Sequence, residues 1–103
     1  MPKTKVYVAR QEELLPRIGY SVVCGERKIA VFRLSDGRIK ALENVSPYRQ
    51  GPLAEGTVSG EYVYCPLYDW KISLLDGQVQ EPDHGTVATF ETLLEDGKVY
   101  VWV

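Results

Sequence analysis

Histidine and cysteine are nearly missing from this chain: His84 is the only imidazole in 103 residues, and Cys24 and Cys65 are the only thiols. That scarcity excludes a histidine-rich metal centre and a disulfide-stapled scaffold. Cys65, Asp69, Asp83 and His84 include ligand types for zinc but lack the paired spacing of a zinc motif, and His84 sits in a Pro-Asp-His-Gly run that reads as a turn. No metal site is expected. Neither a Cys–His nor a Ser–His–Asp set is placed by a motif, the carboxylates are scattered, and the glycines build no phosphate-cradling loop. The chain therefore has no catalytic site of its own in view. An excess of positive charge is also lacking, since 12 basic against 14 acidic residues give a net charge of -2 with the signs interspersed. Nucleic acid and anionic membranes are poor partners for such a surface. No apolar run approaches the roughly 18 to 20 residues of a membrane span, and Met1-Pro2-Lys3-Thr4-Lys5 lacks the apolar core of a secretory signal. The expected location is the cytoplasm, where Cys24 reads as a small buried hydrophobe closing the apolar run Tyr20 to Cys24.

What the chain does have is short β-branched and aromatic segments separated by turn signals. Its length suits one domain, residues 1–103, with a modest core. Strands are predicted over 5–9, 20–24, 28–34, 38–43, 62–65, 71–73, 78–79, 89–95 and 98–103, which defines an all-β fold. Ser35-Asp36-Gly37, Leu75-Asp76-Gly77 and Glu95-Asp96-Gly97 each place glycine after aspartate, the chemistry of tight antiparallel hairpins. One helical turn fits Gln11 to Leu15, stopped by Pro16. Along Val99 to Val103 the side chains alternate, so one face packs valines while the other carries Tyr100 and Trp102. Residues 44–84 differ in texture: they hold four of the six prolines, Pro47, Pro52, Pro66 and Pro82, with Gly51, Gly56, Gly60 and Gly77 among them. Such density predicts defined loops over a few short strands, inserted into a base of two antiparallel sheets that form a small sandwich or barrel.

Within that insertion, Ser46-Pro47-Tyr48 and Cys65-Pro66-Leu67-Tyr68 stand sixteen residues apart and read S-x-Y-x16-C-x-x-Y. The flanking words, residues 44–53 and 60–72, closely resemble the two cluster-binding loops of Rieske-type domains. Ala30-Val31-Phe32-Arg33, Asp76-Gly77, Pro82-Asp83 and Asp96-Gly97-Lys98-Val99-Tyr100 stand where that family has its framework strands and turns. Nearly the whole chain is covered by the resemblance. Rieske [2Fe–2S] centres use cysteine thiolates on one iron and histidine nitrogens on the other, in the order C-x-H and C-x-x-H. Here Ser46, Tyr48 and Tyr68 replace three of those ligands and Cys65 alone keeps its type. A serine hydroxyl is far less acidic than a thiol, tyrosine hydroxyls have pKa values near 10, and one cysteine cannot hold two irons. No cluster is expected in this chain. Tyr48 and Tyr68 are expected to plug the vacated volume with their rings.

The run Trp70-Lys71-Ile72-Ser73 and the short length are most similar to the small subunit of assimilatory NAD(P)H-dependent nitrite reductase, a subfamily in which some members lack the ligands. That resemblance implies a small, non-catalytic subunit, structural or regulatory. Its large partner subunit would carry FAD, an iron–sulfur cluster and sirohaem and reduce nitrite to ammonium in nitrate assimilation. The loop tips of the family approach a redox partner, so Tyr48, Arg49, Gln50, Leu67, Tyr68 and Asp69 are the expected partner-binding residues, aromatic and arginine side chains being common anchors. Two alternatives stay open. The chain could be a Rieske-type [2Fe–2S] ferredoxin for a ring-hydroxylating oxygenase, or a stand-alone interaction domain.

Overall fold

The computed structural model describes residues 4–16, 18–24, 27–34, 36–44, 53–65, 70–80 and 85–103. Among them, ten strands follow in chain order: β1 (Lys5–Arg10), β2 (Tyr20–Cys24), β3 (Arg27–Arg33), β4 (Ile39–Glu43), β5 (Thr57–Ser59), β6 (Tyr62–Tyr64), β7 (Lys71–Ser73), β8 (Thr89–Phe90), β9 (Thr92–Glu95) and β10 (Lys98–Trp102). Single 3-10 turns lie at Gln11–Glu13 and Leu53–Glu55. The first is the predicted helical turn, closed where the Arg10 backbone N–H donates to Glu13 Oε1 at 3.0 Å.

The strands form three antiparallel sheets, ordered β1-β10-β9, β2-β3-β4-β8 and β5-β6-β7. The all-β reading holds, and the two-sheet base is there, but the insertion carries a sheet of its own. Alternation along β3 shows how the three are layered. Ile29 and Val31 join Ile39, Ala41, Val99 and Val101 in one apolar cluster, on the side of the β1-β10-β9 sheet. Ala30, Phe32 and Leu34 join Leu42, Val58, Val63 and Ile72 in another, on the side of β5-β6-β7. The four-stranded sheet is thus covered on both faces. A strand in that position must be apolar at every residue, which is why Ile29-Ala30-Val31-Phe32 is an unbroken run, fully buried. Each large side chain hidden this way contributes about 1.5 to 3 kcal/mol from burial.

The three predicted hairpins form where the Asp-Gly pairs stand. Asp96 and Gly97 have φ of 53° and 75°, the left-handed geometry of a two-residue turn, and they join β9 to β10 with Lys98 opposite Glu95. Two strand predictions need correcting. The segment 89–95, expected as one strand, is two: Phe90 pairs with Ala41 in the central sheet, whereas Thr92 pairs with Val101 in the first sheet. Between them Glu91 turns the chain, its carbonyl accepting from Trp102 N–H at 2.9 Å, and the Thr92 hydroxyl donates to the Ile39 carbonyl at 2.8 Å. Gln78 and Val79 make only isolated bridges, to Thr86 and Ile72, and β5 was not expected at all. At the outer edge, Thr4 and Val103 exchange backbone hydrogen bonds of 2.7 and 3.0 Å, so the two ends of the described chain lie side by side.

Candidate functional site

The two motif-bearing loops leave and rejoin the fold at fixed points, and those points are held by residues outside the motif. The first departs after Asn44, which follows β4 and is buried although polar. Its side-chain amide donates to Ser21 Oγ at 3.1 Å and its Oδ1 accepts the Ala54 backbone N–H at 2.8 Å. Its own backbone N–H donates to the Lys28 carbonyl at 2.8 Å. One side chain therefore ties the departure of the loop to its return in the Leu53–Glu55 turn and to the edge of the central sheet. Gly19 lies against the same turn so closely that a Cβ there would stand 2.1 Å from the Ala54 carbonyl oxygen. Only glycine lets the two backbones meet.

The second loop is pinched shut at its base, where the Cys65 N–H donates to the Trp70 carbonyl at 2.8 Å. Cys65 is fully buried in the cluster that contains Leu53, Val58, Val63, Ile72 and Leu74, with Ala54 and Trp70 packed against it. The described ends of both loops, Leu53 and Cys65, thus share one apolar floor. A third segment is closed beside them, with Val79 N–H donating to the Gly85 carbonyl at 3.0 Å and Gln80 N–H to the Lys71 carbonyl at 2.8 Å. On the exposed face of the insertion, Lys71 Nζ stands 4.3 Å from the Tyr62 ring centroid. A cation–π contact of this kind adds about 0.5 to 1 kcal/mol when exposed.

Of the predicted site residues, Cys65 is the one whose surroundings are described. Ser46, Tyr48, Arg49, Gln50, Leu67, Tyr68 and Asp69 lie outside the described residues, as do Asp83 and His84. Among the described residues no cluster of three or more histidine, cysteine or acidic side chains comes together as a metal site. The donor set can be tested on its chemistry. Iron in a [2Fe–2S] centre requires four soft or imidazole ligands. The four positions here offer one thiol, set among aliphatic side chains, with a serine and two tyrosines. That set does not fit the cluster. Asn44 and Gly19, which fix the first loop, escaped sequence reading; the only hint was a polar residue at a strand end just before a proline-rich run.

Away from the loops, an exposed charge network links the central sheet to the insertion. Arg38 Nε donates to Asp36 Oδ2 at 2.7 Å, and its Nη2 donates to Glu61 Oε2 in the β5–β6 turn. The Arg38 backbone N–H, donating to Asp36, holds the Asp36 carboxyl below the ordinary 3.8, with the guanidinium assisting. The bond to Glu61, followed by that to Asp36, pushes the Arg38 guanidinium further up.

A sheet sandwich with a separate three-stranded insertion, two loops on a shared apolar floor and a C-x-x-Y remnant together define a Rieske-type architecture. The chain belongs to the family of Rieske-like [2Fe-2S] domains, whose model matches residues 5–102. Among its relatives is the nitrite reductase (NADH) small subunit of Escherichia coli K12, 26% identical, with 89% of this chain and 91% of that one covered. The nitrite reductase [NAD(P)H] large subunit of Klebsiella oxytoca is 29% identical over 97% of this chain, which spans only 12% of it. The oxygenase component of 3-ketosteroid-9-alpha-monooxygenase from Mycobacterium tuberculosis is 31% identical over 73% of this chain and 21% of its own length. The solution structure of the Escherichia coli protein NirD superimposes with a TM-score of 0.87 at 24% identity, covering 98% of this chain and 97% of that one. That last likeness concerns the fold. No helix among the described residues is long and apolar enough to cross a membrane.

Proposed function

We propose that the chain is the small, non-catalytic subunit of a cytoplasmic NAD(P)H-dependent nitrite reductase, and that it works without an iron–sulfur cluster of its own. The observation that carries this reading is a pair of similarities. The chain matches a small subunit over 91% of that subunit's length and also a segment amounting to 12% of a large subunit. A unit that occurs both beside and within the larger polypeptide belongs next to it. In this reading FAD, iron–sulfur and sirohaem stay with the large partner, which converts nitrite to ammonium. Residues 44–84 then serve as a partner-docking tip, with Tyr48, Arg49, Gln50, Leu67, Tyr68 and Asp69 in contact and the rings of Tyr48 and Tyr68 filling the vacated cluster volume.

A second reading, a ferredoxin for a ring-hydroxylating oxygenase, draws on the similarity to the monooxygenase component. Iron and sulfide analysis with a visible spectrum of the purified chain separates the two. Absence of both, together with co-purification with the sirohaem subunit at native expression, is the expected result; stoichiometric iron with a chromophore overturns the first reading. The combined variant Ser46→Cys, Tyr48→His, Tyr68→His, with Cys65 kept, tests the loops directly. Partial [2Fe–2S] uptake is expected if they keep the family's ligand geometry, and a folded variant that takes up no iron would show that they do not.

A further inference from the structure

β8 accompanies β4 only at Ala41 and Leu42. Beyond Phe90 the chain leaves for the first sheet, and the Thr92 hydroxyl meets the Ile39 carbonyl at 2.8 Å. Where the strands part lies a cavity of about 450 Å³, bordered by Lys40 and Ala41, by residues 89–92, and by Leu74 and Leu75 from the turn after β7. Sites for small organic molecules span roughly 300 to 1,000 Å³, so the volume is sufficient for one. The two walls are fixed to each other. Val87, two residues before Thr89, donates its backbone N–H to the Gly77 carbonyl at 2.8 Å, and a Cβ on Gly77 would stand 2.1 Å from the Val87 carbonyl oxygen. On the far wall, Leu74 N–H donates to the Glu61 carbonyl at 2.8 Å and Leu75 N–H to Ser73 Oγ at 3.2 Å. The cavity is therefore preformed.

Its lining carries one charge of each sign, Lys40 and Glu91. Among the described residues the ion pairs are Lys5–Glu95, Arg10–Glu12, Arg38–Asp36 and Arg38–Glu61, so Lys40 and Glu91 are not joined to each other. Two opposite charges on one small cavity restrict what it takes. A simple anion drawn to Lys40 would sit well within a Debye length of the Glu91 carboxylate, and a simple cation drawn to Glu91 would meet the Lys40 ammonium in the same way. A ligand that bears both charges is attracted twice. The remaining wall is apolar: Leu74 is buried, while Leu75 is 45% exposed and is one of few large apolar side chains left uncovered.

We propose that this cavity binds a small zwitterion with an apolar side chain, of the α-amino acid class. Its carboxylate is held by Lys40, its ammonium by Glu91, and its side chain lies against Leu74 and Leu75. Lys40 is half-buried and Glu91 exposed, so each charged contact stays partly hydrated and contributes modestly. Such a site saturates at about millimolar ligand, which suits sensing of an abundant small molecule rather than its capture. The inference does not depend on which complex the chain enters.

The test titrates the full chain, labelled with ¹⁵N, with three probes: leucine, N-acetylleucine, which lacks the ammonium, and leucinamide, which lacks the carboxylate. Expected are amide shifts concentrated in residues 39–42, 74–75 and 89–92, and leucine binding about threefold to fivefold tighter than either relative. Lys40→Gln should erase the advantage of leucine over leucinamide, and Glu91→Gln its advantage over N-acetylleucine. Equal affinity for the three probes, shifts elsewhere or nowhere, or preferences that survive both substitutions overturn the proposal. So does tighter binding of N-acetylleucine than of leucine, because the ligand is then a simple anion.

Discussion

The two faces of the central sheet are buried by different means. Toward the first sheet the cluster is built largely from β-branched residues on paired strands, Ile29, Val31, Ile39, Val99 and Val101. Toward the insertion the valines and isoleucine of short strands and bridges are joined by larger groups, Phe32, Leu34, Leu42, Leu53 and Leu74, several of them on turns or next to three-residue strands. Long ladders hold the first face and side-chain packing holds the second. Loops that carry a site can therefore be reshaped without disturbing the ladders, provided that their apolar floor stays filled.

Paired deletions across β3 give the largest expected effect. Phe32→Ala should cost about 3 to 5 kcal/mol and Val31→Ala about 2. In Phe32→Ala, hydrogen exchange should rise first in β5, β6 and β7. Equal loosening of β1 and β10 would break the comparison. Asn44→Ala removes the acceptor of the Ala54 N–H and the donor to Ser21, so a loss of about 1 to 3 kcal/mol is expected by chemical denaturation. An unchanged midpoint would mean that the first loop is not held where Asn44 holds it. Cys65→Ala tests whether that residue belongs to the floor. A loss of about 1 to 2 kcal/mol is expected from its missing packing, with the backbone closure to Trp70 retained.

The smallest effect concerns the charge link between the regions. Asp36 has a folded pKa below its ordinary 3.8, so its contribution to stability is present above that value and is lost as pH falls through the lowered one. Wild type should be slightly more stable than Asp36→Asn at neutral pH, and the difference should shrink to nothing in acid. A difference that grows on acidification would reverse the assigned sign.

The framework was legible because its signals are local. Three Asp-Gly pairs place the hairpins and period-two alternation places β10; that β3 is covered on both faces emerged only from the structure. The switch of sheets at Glu91 was not legible, since alternation records which way a side chain points and not which neighbour the strand pairs with. β5 escaped because three residues are too few to show a period, although Gly56 and Gly60 bracket it. At the site, the motif marked Cys65 as a loop residue, yet its burial makes it a member of the insertion's core. Asn44 and Gly19 act through long-range backbone partners, which no spacing in the sequence announces.

The hydrogen bonds between Thr4 and Val103 have a consequence for how such a unit travels between genes. With Thr4 and Val103 side by side, the segment between them can be spliced into a surface turn of a longer polypeptide as a cassette, because the host turn need span little distance and little closure entropy is lost. The same geometry serves a separately encoded subunit equally well. The similarity to a small part of a much longer Klebsiella oxytoca chain is what such portability would leave behind.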